Sequence, residues 1–205
     1  MIALVTRHRR QLLLAAAALT LTAIFLPLWG MTLVSTQYPD GLRMIVYARR
    51  IVGDVGELNA LNHYIGMIPI SDAFFPELRL LPLAFGAVAA ACLGAAFIRR
   101  RWVAALPLGL MVALAVYGFW SMWRRLYQFG HDLDPTAAIR IDPFTPPMLG
   151  ENQIAQFATY AYFDWGTILP LAAGAVVALV LAADLRGRQP RMTRAAAAAA
   201  VLQAV

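Results

Sequence analysis

Hydrophobic positions gather into four long runs, residues 12–29, 80–98, 102–120 and 166–185, separated by stretches in which polar and apolar residues mix. At 1.5 Å per residue, runs of about 18–20 residues reach across roughly 30 Å of hydrocarbon, so each predicts a membrane-spanning helix. Trp29, Trp102, Trp120, Trp123 and Trp165 all stand at run ends, where an amphipathic ring prefers the boundary between lipid and water. Only residues 99–101 separate the second run from the third, which requires a tight antiparallel hairpin. The predicted fold class is therefore an all-α membrane protein, a bundle of four transmembrane helices in a single domain. Two structured loops, 30–79 and 124–165, lie on one side and a tail, 186–205, on the other. The first run reads as a retained anchor rather than a cleaved signal peptide, because no clean small-x-small site follows its apolar core. Pro27, Pro82, Pro107 and Pro170 fall near run ends, and Pro107 is placed to kink the third helix.

Within the first loop, residues 33–38 and 42–47 are strand-like and flank Pro39-Asp40-Gly41, a turn sequence. They predict a small β-hairpin. Asp54 then precedes Glu57 by three positions, the spacing of a capping box, and Leu58, Leu61 and Ile65 share one face of the short helix that follows. Gly66 is its natural stop. Asn59, Asn62 and His63 occupy the opposite face. In the second loop Asp134-Pro135 opens a single turn over 136–139, the prolines of 143–147 hold the chain extended, and 151–160 predicts an interfacial helix carrying Ile154 and Phe157. The two halves echo one another faintly, as a duplicated helical hairpin would: Trp29-Gly30-Met31 and Trp120-Ser121-Met122 each close an outgoing run.

Composition sharpens this picture. Apolar residues make up 61% of the 205 and charged residues 14%, against about 25% charged in a soluble domain. The mean hydropathy of +0.65 excludes a water-soluble globular enzyme. All 17 basic residues are Arg, and the formal charge is +6. Such a balance raises nucleic acid as a partner, but the positions decide against it. Arg7, Arg9, Arg10, Arg99, Arg100, Arg101, Arg186, Arg188, Arg191 and Arg194 all flank run ends on one side, with Asp184 the only acid among them. The positive-inside rule places that side, with both termini, in the cytoplasm and both loops on the outer side of the membrane. Membrane lipids are the first partners implied. Cys92, alone in an apolar run, forms no intrachain disulfide and reads as a small buried hydrophobe.

No run interior holds an Asp, Glu, His or Arg, so the usual marks of a proton relay or an intramembrane cofactor site are missing. Phosphate-cradling glycines, cysteine pairs, zinc-protease motifs and serine nucleophile settings are likewise not found, and the chain reads as non-enzymatic. Imidazoles and thioethers remain. His63 and Met67 stand four apart in the first loop, and His131 and Met148 lie in the second. Together they form a ligand set suited to copper(I), with Asp132 or Asp134 available to orient an imidazole. Against this stands the plainer role of each: local hydrogen bonds for the histidines and packing for the methionines. Arg124 and Arg125, at the outer end of the third run, read as partners of loop acids or lipid phosphates.

The stretches Leu61-Asn62-His63-Tyr64-Ile65-Gly66-Met67, Gly130-His131-Asp132-Leu133-Asp134-Pro135 with Ala137-Ala138-Ile139, and Pro146-Pro147-Met148-Leu149-Gly150 resemble a little-studied family of four-helix bacterial membrane proteins. These are encoded near nitrous oxide reductase and its copper-maturation genes. Residues 140–145 depart from the family pattern. The resemblance implies a setting of copper-dependent respiration, with other membrane or periplasmic proteins as partners. The function expected is an accessory role in copper delivery to, or assembly and anchoring of, an extracytoplasmic metalloenzyme such as nitrous oxide reductase. The alternative is a helix-packing subunit of a transporter or respiratory complex that handles no metal.

Overall fold

The computed structural model describes residues 2–98, 100, 102–154 and 156–186. Arg99 and Arg101 of the predicted hairpin turn, and Arg188, Arg191 and Arg194 of the tail, lie outside the described residues. In chain order the helices are α1 (Ile2–Arg7), α2 (Arg9–Thr22), α3 (Val55–Ile65), α4 (Leu81–Phe97), α5 (Ala105–His131) and α6 (Trp165–Arg186). The strands are β1 (Pro27–Val34), β2 (Leu42–Tyr47), β3 (Ile51–Gly53), β4 (Gly150–Ile154) and β5 (Phe157–Phe163).

This corrects the all-α expectation. The strands form one five-stranded antiparallel sheet in the order β3-β2-β1-β5-β4, so the two long loops, expected to lie together as one compact outer layer, do so through a shared sheet. The four-helix bundle of membrane-crossing length is also corrected. Among the described residues, α5 and α6 are long and apolar enough to cross a membrane, whereas α4 is a shorter apolar helix and α2 has 14 residues.

Proline explains the shortened first helix. A residue preceding proline is pushed out of the helical region, and Leu26 is extended at φ −100°, ψ 153°, after a 3-10 turn at Ala23–Phe25. Proline suits the first turn of a helix and not its last, so Pro27 opens β1 and takes Trp29 with it. The hairpin therefore pairs β2 with a strand that begins earlier than predicted, in the register Met31↔Met44.

The expected helix over 151–160 is the β4–β5 hairpin instead. From Phe157 to Phe163 buried and exposed positions alternate, with Thr159 and Ala161 inward and Tyr160 and Tyr162 outward, the period of a strand. Gly30 pairs with Tyr162, and a Cβ on Gly30 would lie 2.6 Å from that ring. The glycine lets the tyrosine lie across the central strand.

α3 follows Asp54 and ends at Gly66, whose φ of +76° is the left-handed cap that glycine accepts without strain. Asp54 makes no capping bond to its own helix; it accepts the Arg43 N–H at 2.8 Å and so pins β2. Asn59 exchanges two hydrogen bonds with Ile70 and fastens the segment after α3. Both sheet edges are blunted by side chains: Asp72 Oδ1 accepts Ile51 N–H on β3, and Asn152 Oδ1 accepts Gln153 N–H on β4. Edges satisfied in this way are poor templates for a further strand.

Two cores result. Leu13, Ala16, Ala17, Val88, Ala89, Cys92, Val177 and Val180 pack α2, α4 and α6 together, with small residues allowing close approach. Trp29, Met31, Leu42, Met44, Leu58, Ile70, Leu126 and Phe129 join the sheet and α3 to the outer part of α5. The second core exists because α5 continues well past the predicted stop at residue 120.

Candidate functional site

α3 ends in a paired cap: Met67 N–H donates to Asn62 O at 2.8 Å and Gly66 N–H to His63 O at 3.4 Å. The chain turned out by Gly66 meets the segment after α5. Asp134 N–H donates to Gly66 O at 2.8 Å and Ile139 N–H to Tyr64 O at 2.9 Å. Two of the stretches singled out in the sequence are thus stitched together by their backbones.

His63 is exposed and lies close enough to Asp134 for its charge to favour the carboxylate. The Asp134 carboxyl is held below its ordinary value mainly by the Thr136 hydroxyl and N–H, at 2.7 and 2.8 Å, with His63 a lesser cause. His131 stacks on Tyr127 with centroids 3.7 Å apart, and its Nδ1 lies 3.0 Å from the Tyr127 carbonyl, one helical turn back. Met67 and Met148 both pack against the apolar core of the outer layer, and the Met148 carbonyl accepts the Trp29 indole N–H at 2.7 Å. Among the described residues no group of three or more His, Cys, Asp and Glu side chains is placed to hold a metal ion.

A second constellation was not read as a site in the sequence. Beneath the outer layer, between α4, α5 and α6, lies a partly open cavity of about 490 Å³ with predominantly apolar walls. Glu77, Ser121 and Arg125 line it. Arg125 Nη2 stands 2.7 Å and Nε 3.3 Å from Glu77 Oε1, and the Ser121 hydroxyl donates to the same oxygen at 3.0 Å. Arg125 Nη1 reaches Gln128 Oε1 at 3.3 Å, and the guanidinium carbon lies 4.8 Å from the centre of the Phe74 ring. Arg125 was expected to pair with a loop acid or a lipid phosphate, and Glu77, at the end of the first loop, is its partner at 2.7 Å. Arg124 instead lies over Trp120.

Burial pushes the Glu77 carboxyl up, but the nearby N–H of its own backbone, the hydrogen bonds from Arg125 and Ser121 and the charge of Arg125 outweigh it and hold the group below its ordinary value of 4.5. A carboxylate whose folded pKa is depressed stabilises the native state above its unfolded pKa and loses that contribution as pH falls through the folded value. Thermal unfolding of the wild type and Glu77→Gln in detergent, followed from neutral to acid pH, should therefore show a gap that narrows below about pH 4.5. A gap independent of pH would mean that the charge of Glu77 does not contribute.

Comparison with protein-family models, with curated proteins and with solved structures finds no match to this chain.

Proposed function

We propose that the chain is a non-enzymatic accessory protein of the bacterial cytoplasmic membrane, with both termini on the cytoplasmic side. Its outer layer anchors, or helps to assemble, a metalloenzyme of copper-dependent respiration. The observation that carries this reading is the joint origin of the sheet. β1 from one half pairs along its length with β5 from the other, and Thr167 and Asp164 at the start of α6 both donate to Leu28 O, at 2.8 and 3.0 Å. The layer is thus fastened to the helices that would carry it, as a rigid platform for a partner needs to be. Arg7, Arg9, Arg10 and Arg186 sit at the opposite end of the helices, which suits a cytoplasmic face. The respiratory setting rests on the likeness of the loop motifs to the family described above.

Deleting the gene should release or inactivate the membrane-associated fraction of nitrous oxide reductase, and restoring the chain should recover it. Full activity in the deletion strain would sink the reading. Alkaline phosphatase fused at residue 145 should be active and at residue 101 inactive; the reverse would overturn the orientation. The finer form of the proposal, copper(I) passing by His63, Met67, His131 and Met148, requires His63→Ala to lower bound copper(I) while the fold is kept. Unchanged metal content leaves anchoring alone.

One observation favours the helix-packing alternative. Ala105, Gly109 and Ala113 follow one another at four-residue spacing on α5 and line a shallow apolar groove of about 750 Å³, the kind of surface against which a second helix packs closely. Gly109→Leu should abolish association with a partner in that reading and leave it intact in the platform reading.

A further inference from the structure

We propose that the cavity under the outer layer binds a single uncharged amphiphile whose hydroxyl donates a hydrogen bond to Glu77 while its apolar body fills the space between α5 and the other helices. Three features lead there. First, at about 490 Å³ the cavity has the size of a small-molecule site. Its walls include Met111, Ala115 and Met122 of α5, Phe85 of α4, Pro170 of α6 and Leu28 of β1. A hydrocarbon chain is at home against such groups.

Secondly, the polar groups on the wall are arranged unevenly. Arg125 Nε, Arg125 Nη2 and the Ser121 hydroxyl all converge on Glu77 Oε1, whereas Oε2 is buried and accepts no hydrogen bond from the protein. A buried carboxylate oxygen without a donor is costly, and a ligand that brings one removes that cost. Thirdly, Arg125 already neutralises Glu77 at 2.7 Å, so the wall offers a cation or an anion no net attraction. The group that fits is a neutral O–H. Among membrane-soluble molecules this chemistry is carried by acylglycerols and by isoprenoid quinols.

Trp29 lines the cavity and is only 4% exposed, which makes it a reporter. Trp102, Trp120, Trp123 and Trp165 are each at least half exposed, so replacing them with Phe in the full chain leaves one indole to follow. That parent is purified in detergent and titrated with dibrominated oleyl alcohol and, separately, with its methyl ether, which lacks the donor. The alcohol should quench Trp29 saturably and bind about tenfold more tightly than the ether, the effect of one hydrogen bond to a charged acceptor. Glu77→Gln, which puts an amide where a carboxylate stood, should reduce the preference to about twofold or less. Gly118 also lines the cavity, with no atom within 4 Å of its Cβ direction, and Gly118→Leu should weaken both probes by filling the space.

No saturable quenching, or equal affinity for alcohol and ether in the parent, would overturn the proposal. So would a Glu77→Gln variant that keeps the tenfold preference. Competition with unbrominated monooleoylglycerol and with an isoprenoid quinol identifies the source of the hydroxyl, and displacement by neither counts against the site. None of these readings involves the partner of the outer layer, so the binding and platform proposals stand or fall separately.

Discussion

Alanine in place of Gly130 is expected to destabilise the protein by about 3 kcal/mol and to loosen the segment after α5. A Cβ at this position would stand 1.7 Å from Phe144 O and 2.7 Å from Phe144 C, both backbone atoms. Neither neighbour yields easily. Gly130 belongs to the last turn of α5, and the Phe144 N–H donates to the Gly130 carbonyl at 3.0 Å, so the two backbones are tied at the point where they would have to part. Prolines at 143, 146 and 147 stiffen the approaching chain. Thermal unfolding in detergent should show a drop of roughly 10 °C, with faster protease cutting within residues 141–149. Gly86 is the control, because it is helical with nothing within 4 Å of its Cβ direction. There alanine should be neutral or stabilise by up to about 1 kcal/mol. Equal behaviour at the two positions would show that the close approach at Gly130 is not a constraint.

The second large effect is expected at the other end of the helices. Arg9 Nε donates to Asp184 Oδ2 and Nη1 to Ala95 O, both at 2.8 Å, so one guanidinium fastens α2 to α6 and to α4. The two side chains are only 13% and 12% exposed. Removing Arg9 leaves the Asp184 charge and the Ala95 carbonyl to find other partners, and Arg9→Ala should lose about 3 kcal/mol. Asp184→Ala should also destabilise, by stranding the guanidinium. The Arg9→Ala, Asp184→Ala double variant should lose clearly less than the two single losses together, since no charge is then left alone. A double-mutant cycle that sums without coupling would mean the pair is solvated in the native state.

What the sequence revealed and what it hid follow from the range of the interactions concerned. α3 was legible because its start, its stop and its apolar face are local: Asp54, Gly66 and the Leu58–Leu61–Ile65 spacing all lie within a dozen positions. β2 was legible for the same reason. The sheet was not, because its middle ladder joins Trp29 to Phe163 and Leu33 to Thr159, and no local period announces a partner so far along the chain. Residues 157–163 are apolar except for Thr159, so no alternation of polarity marked a strand there, while Ile154 and Phe157 satisfied a helical spacing, and only β1 alongside decides between the two. Pro27 carried a clear signal that was outweighed by the apolar residues on both sides of it. As for candidate sites, His63 and Asp134 belonged to recognisable stretches, whereas Glu77 and Ser121 are 44 positions apart in different elements. The helical spacing of Ser121 and Arg125 marks a shared face only once α5 is known to run beyond residue 120.

The ladder between β1 and β5 also has a consequence in time. A ribosome delivers β1, β2 and β3 long before residues 157–163 exist, so throughout the synthesis of α4 and α5 the central strand has a neighbour on one side only. Its other edge carries backbone N–H and C=O groups that β5 takes up only later, and Trp29, Met31 and Leu33 share the face of the strand that is buried or half-buried beneath the finished layer. An unpaired strand edge beside an uncovered apolar face is the surface from which misassembly starts. A chain interrupted before Phe157 is therefore more than an incomplete protein: it presents a strand waiting for a partner, and the nearest available one is the same strand of another interrupted chain.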